Sequence, residues 1–149
     1  MMHVPLGARR VDELLAAIGE QTPAPASGTA TALTAALAAA LAELSARYAG
    51  DDAGAERAAA LAAELVLLGD EDAAAYTAFM GDRNEETRAE IVRVPDEIAR
   101  RADEAVELAL RSAERVSRSV AGDARAAAEL GRAAARVARD LAELNRAGS

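Results

Sequence analysis

Alanine fills 43 of the 149 positions, much of it in runs such as TALTAALAAALAELSA (31–46) and ARAAAELGRAAARVARDLAEL (124–144). No residue favours the helix more strongly, because alanine loses no side-chain entropy on folding, and its small side chain lets neighbouring helices approach closely. Aromatic residues make up only 2% of the chain, which leaves little surface for stacking on a flat ligand. Together these features predict a close-packed, all-helical domain.

A chain of 149 residues is expected to form one domain, 1–149, large enough to bury a core. It has no cysteine, which removes disulfide and thiolate chemistry and fits a reducing compartment. The formal charge of −8 opposes binding to nucleic-acid phosphates. All 17 basic residues are arginine, so neither a Schiff-base lysine nor a lysine general base is available. No apolar run approaches the roughly 20 residues that span a bilayer. The start, MMHVPLGARRVDELL, lacks the basic–apolar–small order of a secretory signal. These features predict a soluble, cytoplasmic protein whose partners are neither nucleic acid nor membrane.

Periodicity divides the chain into a short leader helix and four main ones, an up-and-down bundle. The leader covers 11 to about 18, with Leu14, Leu15 and Ile18 apolar, and the proline-rich TPAPASG (22–28) ends it. The second helix is predicted from Gly28 to Ala49, with Leu33, Leu37, Leu41, Leu44 and Tyr48 forming its inward stripe. AGDDAG (49–54) is a turn, and a third helix over 54–80 carries Leu61, Leu65, Leu68, Asp72, Ala75 and Phe79 inward. Asp82 with Glu85 has the form of a capping box for a fourth helix reaching Val120. Pro95 lies inside that helix and has no N–H for the carbonyl of Ile91, which predicts a kink or break. Gly122 then punctuates before a last helix over 123–146, whose predicted stripe is Asp123, Ala127, Leu130, Ala134, Val137, Leu141 and Leu144.

Two carboxylates therefore stand where the period asks for apolar residues. Asp123 follows Gly122 at a predicted helix start, where aspartate is a favoured N-cap. Asp72 sits mid-helix in LGDEDAAAY, and must either pair with an arginine of another helix or line a site as a general acid or base. Tyr48 and Tyr76 lie on or beside inward stripes, as core residues or as donors to a ligand in a helix-lined cleft. His3 is the only histidine and is expected near a frayed terminus. One histidine and no cysteine leave no metal-ligand cluster, so no metal and no resident cofactor is expected.

TPAPASGTATALTAALAAALAELSA (22–46) resembles the cyclodeaminase/cyclohydrolase family of folate enzymes, in which a TPAPGGG segment runs into a long Ala/Leu/Gly-rich helix. In the same order, LGDEDAAAYTAFM (68–80) is similar to that family's Asp-Glu-Asp-Ala segment and its following aromatic. VPDEIA (94–99) is similar to its Val-Pro segment, and GDARAAAELGRAAARVARDLAELN (122–145) to its Ser-Asp-Ala helix ending in asparagine. The resemblance implies an all-helical homodimer in one-carbon metabolism, acting on methenyl- or formimino-tetrahydrofolate as cyclohydrolase or cyclodeaminase. It implies that Asp123 is the catalytic carboxylate. Substrate binding would fall to Thr22, Pro23, Pro25, Ser27, Gly28, Asp72, Tyr76 and Asn145. The chain differs in having Ala26-Ser27-Gly28 for the triple glycine, Gly122 for a serine, Leu141 for an asparagine, and a shortened C-terminal end. A catalytically degenerate helical dimer of the same family, serving as an interaction or regulatory module, is the alternative.

Overall fold

The computed structural model describes residues 4–148, so His3 lies outside the described residues. A single 3-10 turn, Leu6–Ala8, precedes α1 (Val11–Gly19), α2 (Ser27–Tyr48), α3 (Asp52–Gly81), α4 (Glu85–Ala113) and α5 (Arg118–Ala147). The described residues contain no strand, and three short turns join the four long helices into the expected up-and-down bundle.

Local chemistry sets the helix ends. Gly50 has φ +72°, and behind it the N–H of Asp51 donates to Ala46 O and that of Gly50 to Arg47 O. This is the paired closure of a Schellman motif, which needs a left-handed residue and so favours glycine. Asp51 then caps α3, its Oδ1 accepting from the Gly54 N–H at 2.9 Å while Oδ2 accepts from Arg111. Those bonds hold its carboxyl below the usual aspartate range, the Gly54 N–H contributing most.

Two predicted boundaries move. The cap of α4 is Asn84, not Asp82: Asn84 Oδ1 accepts from the Thr87 N–H, and Thr87 Oγ1 accepts from the Asn84 N–H. Asp82 instead accepts from the Asn84 amide. The break before α5 falls at residues 114–117, ahead of Gly122, so Gly122 and Asp123 lie inside α5 and Asp123 is no N-cap. Glycine near a helix end was a misleading marker here, because an exposed glycine within a well-packed helix costs only about 1 kcal/mol.

The leucine stripe of α2 is not its buried face, against expectation: Leu33 and Leu41 are half-buried, Leu41 packing against the core, and Leu37, Leu44 and Tyr48 are exposed. Leu37 is 64% exposed and Tyr48 68%, whereas Ala32, Ala35, Ala38, Ala39, Ala42 and Ala46 are buried. α2 packs against α3, α4 and α5 at once, and a helix so surrounded must present small side chains if the axes are to come close. The larger core side chains come from α3 (Leu61, Leu65, Leu68) and α4 (Val94, Ile98, Leu108), which seat on alanine surfaces of α2 and α5. On α5 the predicted stripe divides. Its alanines Ala127 and Ala134 are buried as expected, with Ala138 beside them, while Leu130, Val137 and Leu144 are exposed.

α2 also has the length and mean hydropathy (1.4 over its most apolar window) of a helix able to cross a membrane, although no such run was expected; 56% of that window is buried within the bundle. The leader is pinned at one point, where Leu6 is buried and its N–H donates to Asp70 Oδ1 at 2.9 Å. α1 itself buries no residue.

Candidate functional site

One end of the bundle gathers the start of α2, the last third of α3, the proline of α4 and the final turn of α5. They enclose a cavity of about 250 Å³ lined by Pro23, Ala24, Ala26, Ser27, Gly28, Asp72, Tyr76, Pro95, Leu141, Leu144 and Asn145. The N-cap position of α2 is Ala26, which offers no side chain to the first-turn N–H groups, so those amides are available at the cavity rim. The Ala24–Pro25 peptide bond is cis.

Asp72 is the acidic group of this cavity. Among the described residues it makes no hydrogen bond or ion pair, so of its two sequence readings the arginine pairing is not seen and Asp72 lines a cavity instead. Its carboxylate lies against the start of α2, where a Cβ added to Gly28 would come 2.0 Å from Asp72 Oδ2. Gly28 is thus the residue that makes room for the carboxylate. Burial without a partner pushes the Asp72 carboxyl up from 3.8 to about 6, because the ionised form has lost water and gained no counter-charge. Gly28→Ala is expected to drive the carboxylate out toward solvent while leaving α2 intact. Carboxyl NMR should then show its titration midpoint falling by about 1–2 pH units toward the ordinary range.

Another part of the cavity lining shows how α4 tolerates its proline. α4 runs through Pro95 without interruption. The carbonyl of Ile91, deprived of its intrahelical donor, accepts instead from Asn145 Nδ2 at 2.6 Å. Two surface ties flank this bond: Arg146 pairs with Asp96, and Arg88 donates to the Gly148 carbonyl at 2.8 Å.

Six of the residues singled out from sequence meet here: Pro23, Ser27, Gly28, Asp72, Tyr76 and Asn145. Three do not. Thr22 is exposed, its hydroxyl directed to the Ala24 carbonyl. Pro25 lines an adjoining hollow with Leu6, Arg9, Asp70 and Thr77. Asp123 precedes Asn145 by 22 residues on the same helix, which at ~1.5 Å per residue puts it about 33 Å away, near the far end of the bundle. Within one chain Asp123 cannot touch a ligand in this cavity. Leu141, Leu144, Ala24 and Ala26 enter the lining unannounced by chemistry; Pro95 carried a signal, as a helix-interior proline.

An all-α bundle with a carboxylate-bearing cavity where its helix ends converge is the class of protein that fold and site define. Residues 10–148 match the family described as Formiminotransferase-cyclodeaminase, and the chain belongs to that folate-related family. No curated protein sequence matches it significantly.

Proposed function

We propose that this protein is a one-carbon folate enzyme, opening or closing the ring of methenyl- or formimino-tetrahydrofolate, and that Asp72 rather than Asp123 is its acid–base group. The observation that carries this reading is the Asp72 carboxylate, unpaired, seated against Gly28 in the cavity, with its pKa near 6. A methenyl group is a cationic amidinium, and an ionised carboxylate beside it both attracts the ligand and accepts a proton from the attacking water. In the hydrolytic direction the water oxygen adds to the bridging carbon and Asp72 takes its proton. The carbon–nitrogen bond of the ring then breaks as the added hydroxyl becomes the formyl carbonyl and releases its proton to water, and the proton held by Asp72 passes to the departing nitrogen. In the cyclodeaminase direction the free secondary amine attacks the formiminium carbon, and Asp72 carries the proton of that amine to the terminal nitrogen. The bond from carbon to that nitrogen breaks to release ammonia and leave the cyclic methenyl cation.

The cavity, at about 250 Å³, falls below the usual ~300–1,000 Å³ of whole-ligand sites. It takes the reacting head of the ligand, and the anionic tail lies outside, over the hollow that holds Arg9. A second copy of the chain is the partner proposed for the outward leucines. Gly131 of α5 lies against Ala38 of α2, so Leu130 and Leu37 stand at one level on neighbouring helices and form a common apolar face.

The test is to add the purified protein to methenyl-tetrahydrofolate and follow the loss of its characteristic absorbance. Turnover above buffer is expected, with kcat/KM rising as pH increases through about 6, where Asp72 gives up its proton. No binding and no acceleration would sink the enzyme reading. The degenerate interaction module would then stand, a reading favoured by Leu141, which makes the cavity wall apolar where the family resemblance has an asparagine.

A further inference from the structure

We propose that Asn145 is a positioning residue: it supplies the donor that Pro95 removes from α4 and, by doing so, holds the last turn of α5 as a wall of the cavity. This rests on the enzyme reading only where turnover is concerned. The geometry is specific. Pro95 cannot donate to Ile91 O, and the Asn145 amide does so at 2.6 Å from another helix. Ile91 is buried, so its carbonyl would otherwise be cut off from water as well as from a donor. Pro95 and Asn145 both line the cavity that holds Asp72, as do Leu141 and Leu144 from the same stretch of α5. The other ties at this point, Arg146 to Asp96 and Arg88 to Gly148 O, run through half-exposed arginine side chains or the chain end. Such contacts are individually weak. A proline and an asparagine 50 residues apart thus act as one part.

The clasp makes two demands that can be tested separately. The first is the orphaned carbonyl. Asn145→Leu should lower the folding equilibrium by roughly 5- to 150-fold, the loss expected when a buried acceptor goes without a donor. Adding Pro95→Ala restores an N–H for Ile91 O, so the double variant should recover most of that loss. Asn145→Asp keeps the shape but turns an ionised oxygen toward the carbonyl, and only its protonated form can donate. Its folded-state pKa is therefore raised, and its stability deficit against the wild type should be large at about pH 8 and shrink toward about pH 4.5. Of the ionisable groups around it, among them Tyr76 of α3, the carboxylates Asp72 of α3, Asp96 of α4 and Glu143 of α5 repel the ionised side chain of Asn145→Asp and add to the deficit at high pH. Arg88 of α4 and Arg146 of α5 oppose it, but both arginines are already paired, to Gly148 O and to Asp96 and Glu143.

The second demand is the wall. Pro95→Ala repairs α4 but does not re-tie α5, so turnover of methenyl-tetrahydrofolate, reduced in Asn145→Leu, should stay reduced in the double variant. A double variant no more stable than Asn145→Leu, or a pH-independent deficit in Asn145→Asp, would overturn the clasp. Full recovery of turnover in the double variant would overturn the positioning role. Wild-type protein that neither binds nor converts the folate defeats the enzyme reading instead, and the two stability measurements still decide the clasp.

Discussion

Asp72→Asn is expected to make the protein more stable at pH 7.5 and nearly inactive. The carboxylate is held in the cavity without a partner, and its folded-state pKa stands near 6 against 3.8 for the free side chain. A raised pKa means that the fold tolerates the protonated form better than the ionised one. The stability associated with Asp72 is fully present below about pH 4 and lost as pH rises through about 6. The shift corresponds to about 3 kcal/mol at most, reduced to about 1–2 kcal/mol because water reaches the carboxylate through the open cavity. A neutral asparagine escapes this cost, and Tm at pH 7.5 should rise by about 3–6 °C. At pH 4 the gain should vanish. Turnover should fall by about 10²–10⁴-fold, the usual contribution of a positioned acid–base group. Scanning calorimetry at the two pH values and a methenyl-tetrahydrofolate assay check both halves. A variant that loses stability at pH 7.5 would contradict the unpaired, half-buried carboxylate.

Leu65→Ala should destabilise the protein severely and Leu37→Ala hardly at all, although the same periodicity marks both as core positions. Leu65 is fully buried on α3 and is one of the few large side chains, with Leu61, Leu68, Val94, Ile98 and Leu108, in a core that is mostly alanine. Alanine neighbours have no long side chains to swing into the space, so the cavity stays open and the cost should be about 3–5 kcal/mol, or a fall of about 6–20 °C in Tm. Leu37 is 64% exposed, and its truncation should change the stability of a single chain by less than about 0.5 kcal/mol. What Leu37→Ala should weaken is self-association across the α2/α5 face, read by sedimentation velocity over a dilution series. A substantial loss of single-chain stability in Leu37→Ala would show that the leucine stripe packs inward.

Much of the architecture was legible because alanine content and helical period are local properties. The positions of α2 and the turn at 49–51 follow from composition and from Gly50. The boundary before α5 was not legible: Gly122 looked like a stop, whereas the chain turns at 114–117, where Ser117 takes the N-cap position without a side-chain bond to announce it. The site was partly legible. TPAPASG marked the cavity rim, and Asp72 stood out as a carboxylate in an apolar stripe. Asp123 stood out in the same way, and only the helix length between it and Asn145 separates the two.

The amino-acid sequence by itself determined that this chain is helical, where most of its helices run, and to which family it belongs, because propensity, capping and ordered motifs act over a few residues. Tertiary structure alone decided that α2 buries its alanines and leaves Leu37, Leu44 and Tyr48 outside, and that α5 leaves Leu130, Val137 and Leu144 outside; the leucine stripe of α3 is buried as its period marks it. A period marks one stripe as more apolar, but the central helix of a bundle buries its smallest side chains, since close axial approach outweighs the extra apolar area a leucine would hide. It also decided which carboxylate faces a ligand and what occupies the carbonyl that Pro95 leaves free. Those answers depend on residues from different helices, 44 positions apart for Gly28 and Asp72 and 54 for Ile91 and Asn145, meeting at one end of the bundle.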